Sequence, residues 1–408
     1  MSVTAADAAS CALHDAGTCR SCPNLALPIP DQLAAKQSRV AALLAEHVPA
    51  ELWQAPAASA PTGFRNKAKM AVAGTAAHPT LGILDGAGCG VDLRACPLHV
   101  PAIEAALPVL ADLITDLGLR PYDVPSRRGE LKYVLVTASP DDDLMVRFVL
   151  RSRRYLERLR AAVPDLHRRL PQLAVAAVNI QSVHQAVIEG PEEIVLTEED
   201  RLLMRLSLPS PGLGSRAGRR AESVELPLYL PTRSFFQTNT AVAEALYATA
   251  RDWAEEAEPA RVWDLFCGVG GFALALAAPG RQVLGVEVSA PAIDGARAAA
   301  DLMGLDPALV RFEAGDARVL DPAAGDRAAG AQRPDLLVVN PPRRGIGEQL
   351  ATRIEASGVE RVLYSSCNPR TLATDLAHLP SMRVVRSRLF DMFPHTDHAE
   401  VLVELVRG

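Results

Sequence analysis

A chain of 408 residues, 49% hydrophobic and 22% charged, has material for two or three folded domains, which excludes a disulfide-dependent miniprotein and a disordered or fibrous polymer. The net charge of −6 argues against indiscriminate nucleic-acid binding. Yet all but four of the 42 basic residues are arginine (Lys36, Lys67, Lys69 and Lys132 are the exceptions), so any local basic patch is a guanidinium patch suited to bidentate phosphate contacts.

No apolar run approaches the roughly 18 residues of a membrane span. The opening Met1-Ser2-Val3-Thr4-Ala5-Ala6-Asp7 lacks the basic and apolar regions of a signal peptide, so a cytoplasmic protein with no membrane partner is expected. The first 60 residues hold Cys11, Cys19 and Cys22, then a helical stretch from Pro30 to about His47 whose Leu33, Val40, Leu43 and Leu44 share one face. From about 61 to 230 strands are expected over Gly63–Ala73, Tyr133–Thr137, Leu144–Arg151 and Val175–Ile180, with helices near 101–117 and 153–170. Pro209–Arg220, rich in Gly, Ser and Arg, reads as a loop. Past Thr238 strands and helices alternate, which calls for a parallel sheet. A helix over Asn239–Ala257 precedes buried strands over Val262–Phe266, Gln282–Glu287, Val310–Glu313, Leu336–Asn340 and Val362–Ser366. Ser289 and Gly304 bracket a helix over Pro291–Met303, and strands near Met382–Phe390 and Glu400–Val406 close the chain.

The run Val262-Trp-Asp-Leu-Phe-Cys-Gly-Val-Gly-Gly-Phe272 is a strand, a glycine turn and a helix start, where Gly268, Gly270 and Gly271 let a ligand approach the backbone and the helix N-terminus offers free N–H groups. The spacing is not that of a dinucleotide fingerprint. Glu287, about 20 residues on, ends the next strand where a carboxylate accepts from ribose hydroxyls, and Asp316 forms a second acidic tip. Two acidic tips without a phosphate-binding lysine suit S-adenosylmethionine better than a phosphorylated cofactor. Asn340, at the end of the fourth strand and fixed by Pro341 and Pro342, turns an amide into the same cleft; Cys267 reads as a small packed residue.

Cys367 lies between the end of the fifth strand and a helix that Asn368 caps and Pro369 begins, a position expected to lower a thiol pKa and favour the thiolate. Downstream, His398 and Glu400 are both available as general base. Cys11, Cys19, Cys22 and Cys96 make a complete thiolate set, with Cys89 competing for the fourth place, and spacing alone leaves zinc and iron open. Arg65, Lys67 and Lys69, then Arg127, Arg128 and Lys132, are candidate holds on a nucleic-acid strand.

Taken together, Phe235-Phe-Gln-Thr-Asn239, Asp264-Leu-Phe-Cys-Gly268, Asn340-Pro-Pro-Arg-Arg-Gly345, Ser366-Cys-Asn-Pro369 and His398-Ala-Glu400 resemble the RNA uracil-C5 methyltransferase family over nearly the whole chain. The resemblance implies an α/β fold: a C-terminal Rossmann-like class I S-adenosylmethionine methyltransferase sheet behind an α+β domain that carries an iron–sulfur cluster. It implies an N-terminal cluster region over 1–100, a central β-rich RNA-binding region over 61–235 and a methyltransferase domain over 236–408. Its cofactor residues are Gln237, Phe266, Glu287 and Asn340, its nucleophile Cys367, its base Glu400, and its [4Fe-4S] ligands Cys11, Cys19, Cys22 and Cys96. The cysteine pattern is most similar to the branch acting on uracil 747 of 23S rRNA, so the implied partner is 23S rRNA, naked or in an assembly intermediate, with no obligate protein partner. The same chemistry on another rRNA or tRNA uridine, and a noncatalytic iron–sulfur RNA-binding protein, are the competing readings. The chemistry follows from uracil itself: C5 is a poor nucleophile toward a methyl sulfonium until a thiolate adds at C6, and a base must then take the C5 proton before the cysteine can leave.

Overall fold

The computed structural model describes residues 9–185, 187–209, 223–319 and 333–408; the expected loop lies outside them beyond Pro209. A single turn, Ala12–Asp15 (α1), precedes the helix Ile29–Leu43 (α2), which Pro28 and Pro30 start. Its apolar face does not serve the residues that follow it. Val40, with Leu44 and Val48 just beyond, enters the core of the C-terminal half beside Leu350, Leu372 and Leu376.

The first sheet comprises Lys67–Gly74 (β1), Pro79–Leu84 (β2), Gly90–Asp92 (β3), Leu131–Ala138 (β4), Leu144–Leu150 (β5), Leu173–Ile180 (β6) and Glu192–Val195 (β7), in the order β3-β2-β1-β4-β5-β6-β7. Every pair is antiparallel except β5 and β6, whose parallel pairing requires a crossover, the helix Leu156–Arg169 (α4). Together with Pro101–Asp116 (α3) it covers one face: Ile103, Leu107, Leu110 and Ile114 pack on Val134, Val136 and Phe148. Burying each such side chain contributes about 2 kcal/mol. The expected first strand starts four residues later than anticipated, because Arg65 and Asn66 pair outside the sheet with Leu98 and Thr238.

Arg201–Pro209 (β8) and Ser223–Pro231 (β9) form a separate two-stranded hairpin. Its inward residues, Leu202, Met204, Leu206 and Leu208 opposite Leu226, Leu228 and Leu230, join the core of Thr240–Ala257 (α5), Gly271–Ala275 (α6) and Ala290–Leu302 (α7).

The second sheet holds Arg261–Leu265 (β10), Gln282–Glu287 (β11), Val310–Ala314 (β12), Leu336–Val339 (β13), Arg361–Ser366 (β14), Met382–Phe390 (β15) and Glu400–Arg407 (β16), in the order β12-β11-β10-β13-β14-β16-β15. The first five strands are parallel; β16 runs antiparallel between β14 and β15. Helices α5, α6 and α7 pack on one face, and α2, Gly347–Ser357 (α8) and Pro369–Ala377 (α9) on the other. Strand order reverses between β10 and β13, and ligands of such open sheets bind in the crevice outside the strand ends at that point. Asn239 caps α5 through Oδ1 to the Val242 N–H, and Gly304 ends α7 at φ +66°, but Ser289 occupies the α7 N-cap without a side-chain bond. Among the described residues no helix is long and apolar enough to cross a membrane.

Candidate functional site

Five neighbouring strands of the second sheet deliver one chemistry-bearing residue each to the same edge. In spatial order they are Glu287 on β11, Phe266 after β10, Asn340 after β13, Cys367 after β14 and Glu400 at the start of β16. Strands lie about 4.8 Å apart, so the row runs for roughly 19 Å, enough for a nucleoside-type cofactor at one end and a base at the other.

At the cofactor end the chain turns sharply. Phe266 takes φ +68°, unusual for a bulky residue, with its N–H and that of Cys267 both bonded to the Val286 carbonyl. Gly271 is required by its neighbour: a Cβ there would lie 2.5 Å from the Tyr247 Oη. Part of the turn's N–H set is already engaged: Ala273 donates to Asp264 Oδ2 at 2.9 Å and Gly268 to Glu287 Oε2 at 3.3 Å, while beyond the turn Ser289 donates to Glu287 Oε1 at 3.0 Å. Glu287 is thereby fixed at the turn, each of its oxygens keeping a lone pair for a hydroxyl. Asp264 is fully buried, its Oδ1 has no hydrogen-bond partner, and burial with the nearby Glu287 raises its carboxyl to about 8. Gln237 is buried, its carbonyl accepting from Asn66 Nδ2 at 3.1 Å. Asp316 is half-buried and occupied by Arg318, which holds it down at about 2. Cys267 is a buried, packed thiol.

At the other end, the β14–β16 register pairs Ser366 with Val401, and one further step sets Cys367 across from Glu400. Glu400 is 2% exposed; burial raises its carboxyl to about 7 against the pull of Ser365 Oγ, which donates to it at 2.6 Å. His398, the alternative base, is exposed and lines a groove of about 290 Å³ with Cys367, Arg39, Arg343 and Arg370. The Cys367 thiol is raised, contrary to the lowering expected of its position. Burial and the Glu400 carboxylate push it up, outweighing Arg343, which bonds the sulfur, and the backbone. The 343–347 loop is fixed to α9 by Asn368 Nδ2 donating to the Arg343 carbonyl at 3.0 Å, and by Asp375 accepting from the Ile346 and Gly347 N–H groups and from Tyr364 Oη.

The loop leading into Glu400 is gripped from the far end of the sequence, a feature with no local signal. Lys36 Nζ on α2 donates to Asp391 Oδ1 at 2.5 Å and to the Phe393 carbonyl at 2.8 Å, both side chains fully buried. Gln32 bonds His395 through its ring at 3.1 Å and its N–H at 2.8 Å, holding His395 at φ +64°. Arg39 reaches the Asp397 carbonyl at 2.6 Å.

Cys11, Cys19, Cys22 and Cys96 line one cavity of about 380 Å³ beside Arg65, Lys67 and His99; the exposed Cys89 does not. Burial and the other three thiols raise Cys22 to about 11. Among the described residues no group of three or more His, Cys, Asp or Glu is set to hold a single metal ion. Of the six basic residues singled out, Arg127 and Arg128 are exposed, while Arg65, Lys67 and the exposed Lys69 line the cysteine cavity. Lys132 does not lie where expected: it is buried, and its ammonium is engaged by Gln181 Oε1 at 2.6 Å and the Val183 carbonyl at 2.8 Å. Sequence reading gave Phe235 no role of its own, although its ring is 71% exposed two residues before Gln237.

The fold resembles the crystal structure of Pyrococcus abyssi tRNA (uracil-54, C5)-methyltransferase with S-adenosyl-L-homocysteine, at TM-score 0.73 and 23% identity over 94% of this chain and 85% of that one. The tRNA (Uracil-5-)-methyltransferase family model matches residues 225–408. The 23S rRNA (uracil(747)-C(5))-methyltransferase RlmC of Halothiobacillus neapolitanus is 49% identical over 401 residues, covering 97% of this chain and 99% of the relative. The enzyme of the same name from Escherichia coli K12 is 46% identical over 398 residues, with the same shares of each chain. Identity at that level over nearly the full length of both chains leaves one assignment: the chain belongs to the RNA uracil-C5 methyltransferase family, in the branch of the 23S rRNA (uracil(747)-C(5))-methyltransferases.

Proposed function

We propose that the protein methylates C5 of uridine 747 in 23S rRNA, in the cytoplasm, with S-adenosylmethionine as donor. The observation that carries this reading is the juxtaposition of Cys367 and Glu400 across β14 and β16, next to the crevice at which the strand order reverses. Glu287 accepts from the ribose hydroxyls, and Gln237, Phe266 and Asn340 complete the cofactor's surroundings. The partnerless buried Asp264 Oδ1 and the glycine turn fit a ligand with several donors. The exposed ring of Phe235 offers a stacking face to a base turned out of the RNA.

Cys367 adds to C6 through sulfur, and the electron pair of the C5–C6 double bond moves onto C5 and the C4 carbonyl. C5 then takes the methyl group from the sulfonium, which departs as a neutral thioether. Glu400 removes the C5 proton, the double bond re-forms and the C6–S bond breaks. Both Cys367 and Glu400 rest largely or partly protonated at neutral pH, so the thiol must lose its proton on substrate binding; Arg343, bonded to the sulfur, stabilises the anion when it forms.

The division into a cluster region over 1–100, an RNA-holding region over 61–235 and a methyltransferase domain over 236–408 is part of the same proposal. The four thiols around one cavity, with Arg65 and Lys67 to offset their charge and a buried, unpartnered His99 Nδ1, fit a [4Fe-4S] cluster. The cluster would tie residues 11–22 to the loop at Cys96; the chemistry proposed at Cys367 does not use it. Mapping 5-methyluridine in 23S rRNA from a deletion strain tests the function. Loss of the mark at position 747, restored by the wild-type chain and not by Cys367→Ala, is expected; persistence of the mark in the deletion strain would overturn it.

A further inference from the structure

Some arginines of this protein are held by carboxylates, Arg147, Arg169 and Arg386 by two each. One groove on the first sheet gathers several that are not. Arg120, Arg128, Arg151 and Arg154 line a cleft of about 220 Å³ with Gly129, Glu130 and Tyr155. Glu130 is 4% exposed and is consumed at the floor, accepting from Arg151 Nη2 at 3.1 Å and Ser152 Oγ at 2.6 Å. Arg151 is further fixed by donating to the Arg127 carbonyl at 3.0 Å. Arg120, Arg128 and Arg154 are exposed and form no ion pair among the described residues.

Four guanidinium groups around one lining carboxylate, in a protein of net charge −6, repel one another. The walls are nevertheless built. The 121–130 turn is closed by the Asp123 N–H donating to the Arg128 carbonyl at 2.7 Å, by Asp123 capping Ser126, and by Gly129, where a Cβ would strike the Pro121 carbonyl at 1.9 Å. Ser152 accepts from the Arg154 N–H at 3.3 Å on the opposite wall.

The geometry points to a second RNA contact: this groove binds backbone phosphates of the substrate RNA, away from the target uridine, as a sequence-independent anchor on the first sheet. The inference rests on the RNA reading above. Phosphate oxygens supply the bidentate acceptors that the three unpaired guanidinium groups lack, and sequence-independent anchoring is what phosphate contacts provide.

The test uses the full chain, a minimal uridine-bearing stem-loop and a longer fragment of the same 23S rRNA. Arg120→Ser/Arg154→Ser should bind the longer fragment more weakly than wild type, with near-normal binding of the minimal stem-loop. Two lost phosphate contacts should make that affinity gap shrink roughly tenfold between about 50 and about 200 mM salt. S-adenosylmethionine affinity and melting temperature should be unchanged, and Arg120→Lys/Arg154→Lys should keep most of the salt dependence. Equal binding of the longer fragment by wild type and the serine variant, or a gap that does not change with salt, would overturn the groove. If the serine variant melts early, the lysine variant decides, since loss of its salt dependence without loss of stability refutes charge-based binding. Failure of the wild-type chain to methylate either RNA would instead defeat the functional reading and is scored separately.

Discussion

Replacing Glu400 by Gln separates two consequences of one buried carboxyl. Gln keeps the oxygen that accepts from Ser365 Oγ and removes only the ionisation. Moving a carboxyl from 4.5 to about 7 corresponds to a cost on the order of 3 kcal/mol for holding it ionised in this site. The folded state therefore binds the proton more tightly than the unfolded chain. Wild-type stability relative to Glu400→Gln is unaffected below about 4.5, falls as pH rises from there to about 7, and stays low above that. Denaturant titrations at the two ends of the window should give the Gln variant an advantage at the alkaline end, up to about 3 kcal/mol, that vanishes at the acid end. Catalytically, attack by Cys367 and methyl transfer do not require the carboxylate, but release does. The variant should accumulate a methylated protein–RNA adduct, dependent on S-adenosylmethionine and stable to denaturing electrophoresis, whereas His398→Gln should turn over. Ordinary release of methylated RNA by Glu400→Gln, or trapping by His398→Gln alone, would refute the base assignment; a stability gap independent of pH would refute the account of its burial.

Lys36→Met leaves Asp391 as an uncompensated buried charge and should cost about 3–5 kcal/mol in urea unfolding, with much of it regained by adding Asp391→Leu; an unchanged midpoint would show the pair to be unimportant. Glu287→Ala should weaken S-adenosylmethionine binding by about 1–3 kcal/mol in calorimetry, while Cys367→Ala should leave it within about tenfold of wild type. Anaerobically purified protein should be brown, with about four irons per chain by elemental analysis. Cys19→Ser should lose colour and stability together and Cys89→Ser neither; one zinc and no iron would reject the cluster. Because release needs the Glu400 carboxylate and attack the Cys367 thiolate, kcat should climb as pH rises through about 7 and kcat/KM should keep rising above it; a kcat that falls through that range would contradict the raised values.

The strands of the second sheet were legible because a parallel sheet covered on both faces writes near-continuous apolar runs, and the candidate residues ending those runs come together at one edge. The hairpin of Leu202–Leu208 and Leu226–Leu230 has strict period-two alternation, but in sequence its two strands stand on either side of a long Gly- and Ser-rich segment that hides their pairing. Short strands such as Gly90–Asp92 carry too few residues to show any period. The thiol of Cys367 was misread because a helix N-terminus is visible in sequence, whereas the burial and the Glu400 carboxylate that outweigh it are not. Lys36, Gln32 and Lys132 gave no hint of their roles: each is defined by a partner, at Asp391, His395 and Gln181, that only the fold brings near.

The placement of β16 between β14 and β15 has a consequence for how the sheet is closed. Apart from bridges to Trp53 and Ala57, β15 has only β16 as a strand partner among the described residues, and β16 follows it in the chain. Without residues 400–407 in place, Met382–Phe390 and the open side of β14 are two strand edges with nothing between them. A chain cut before Glu400 lacks the candidate base as well as the strand that joins these two edges. Closure of this part of the sheet and the supply of the candidate base are thereby tied to the same eight residues.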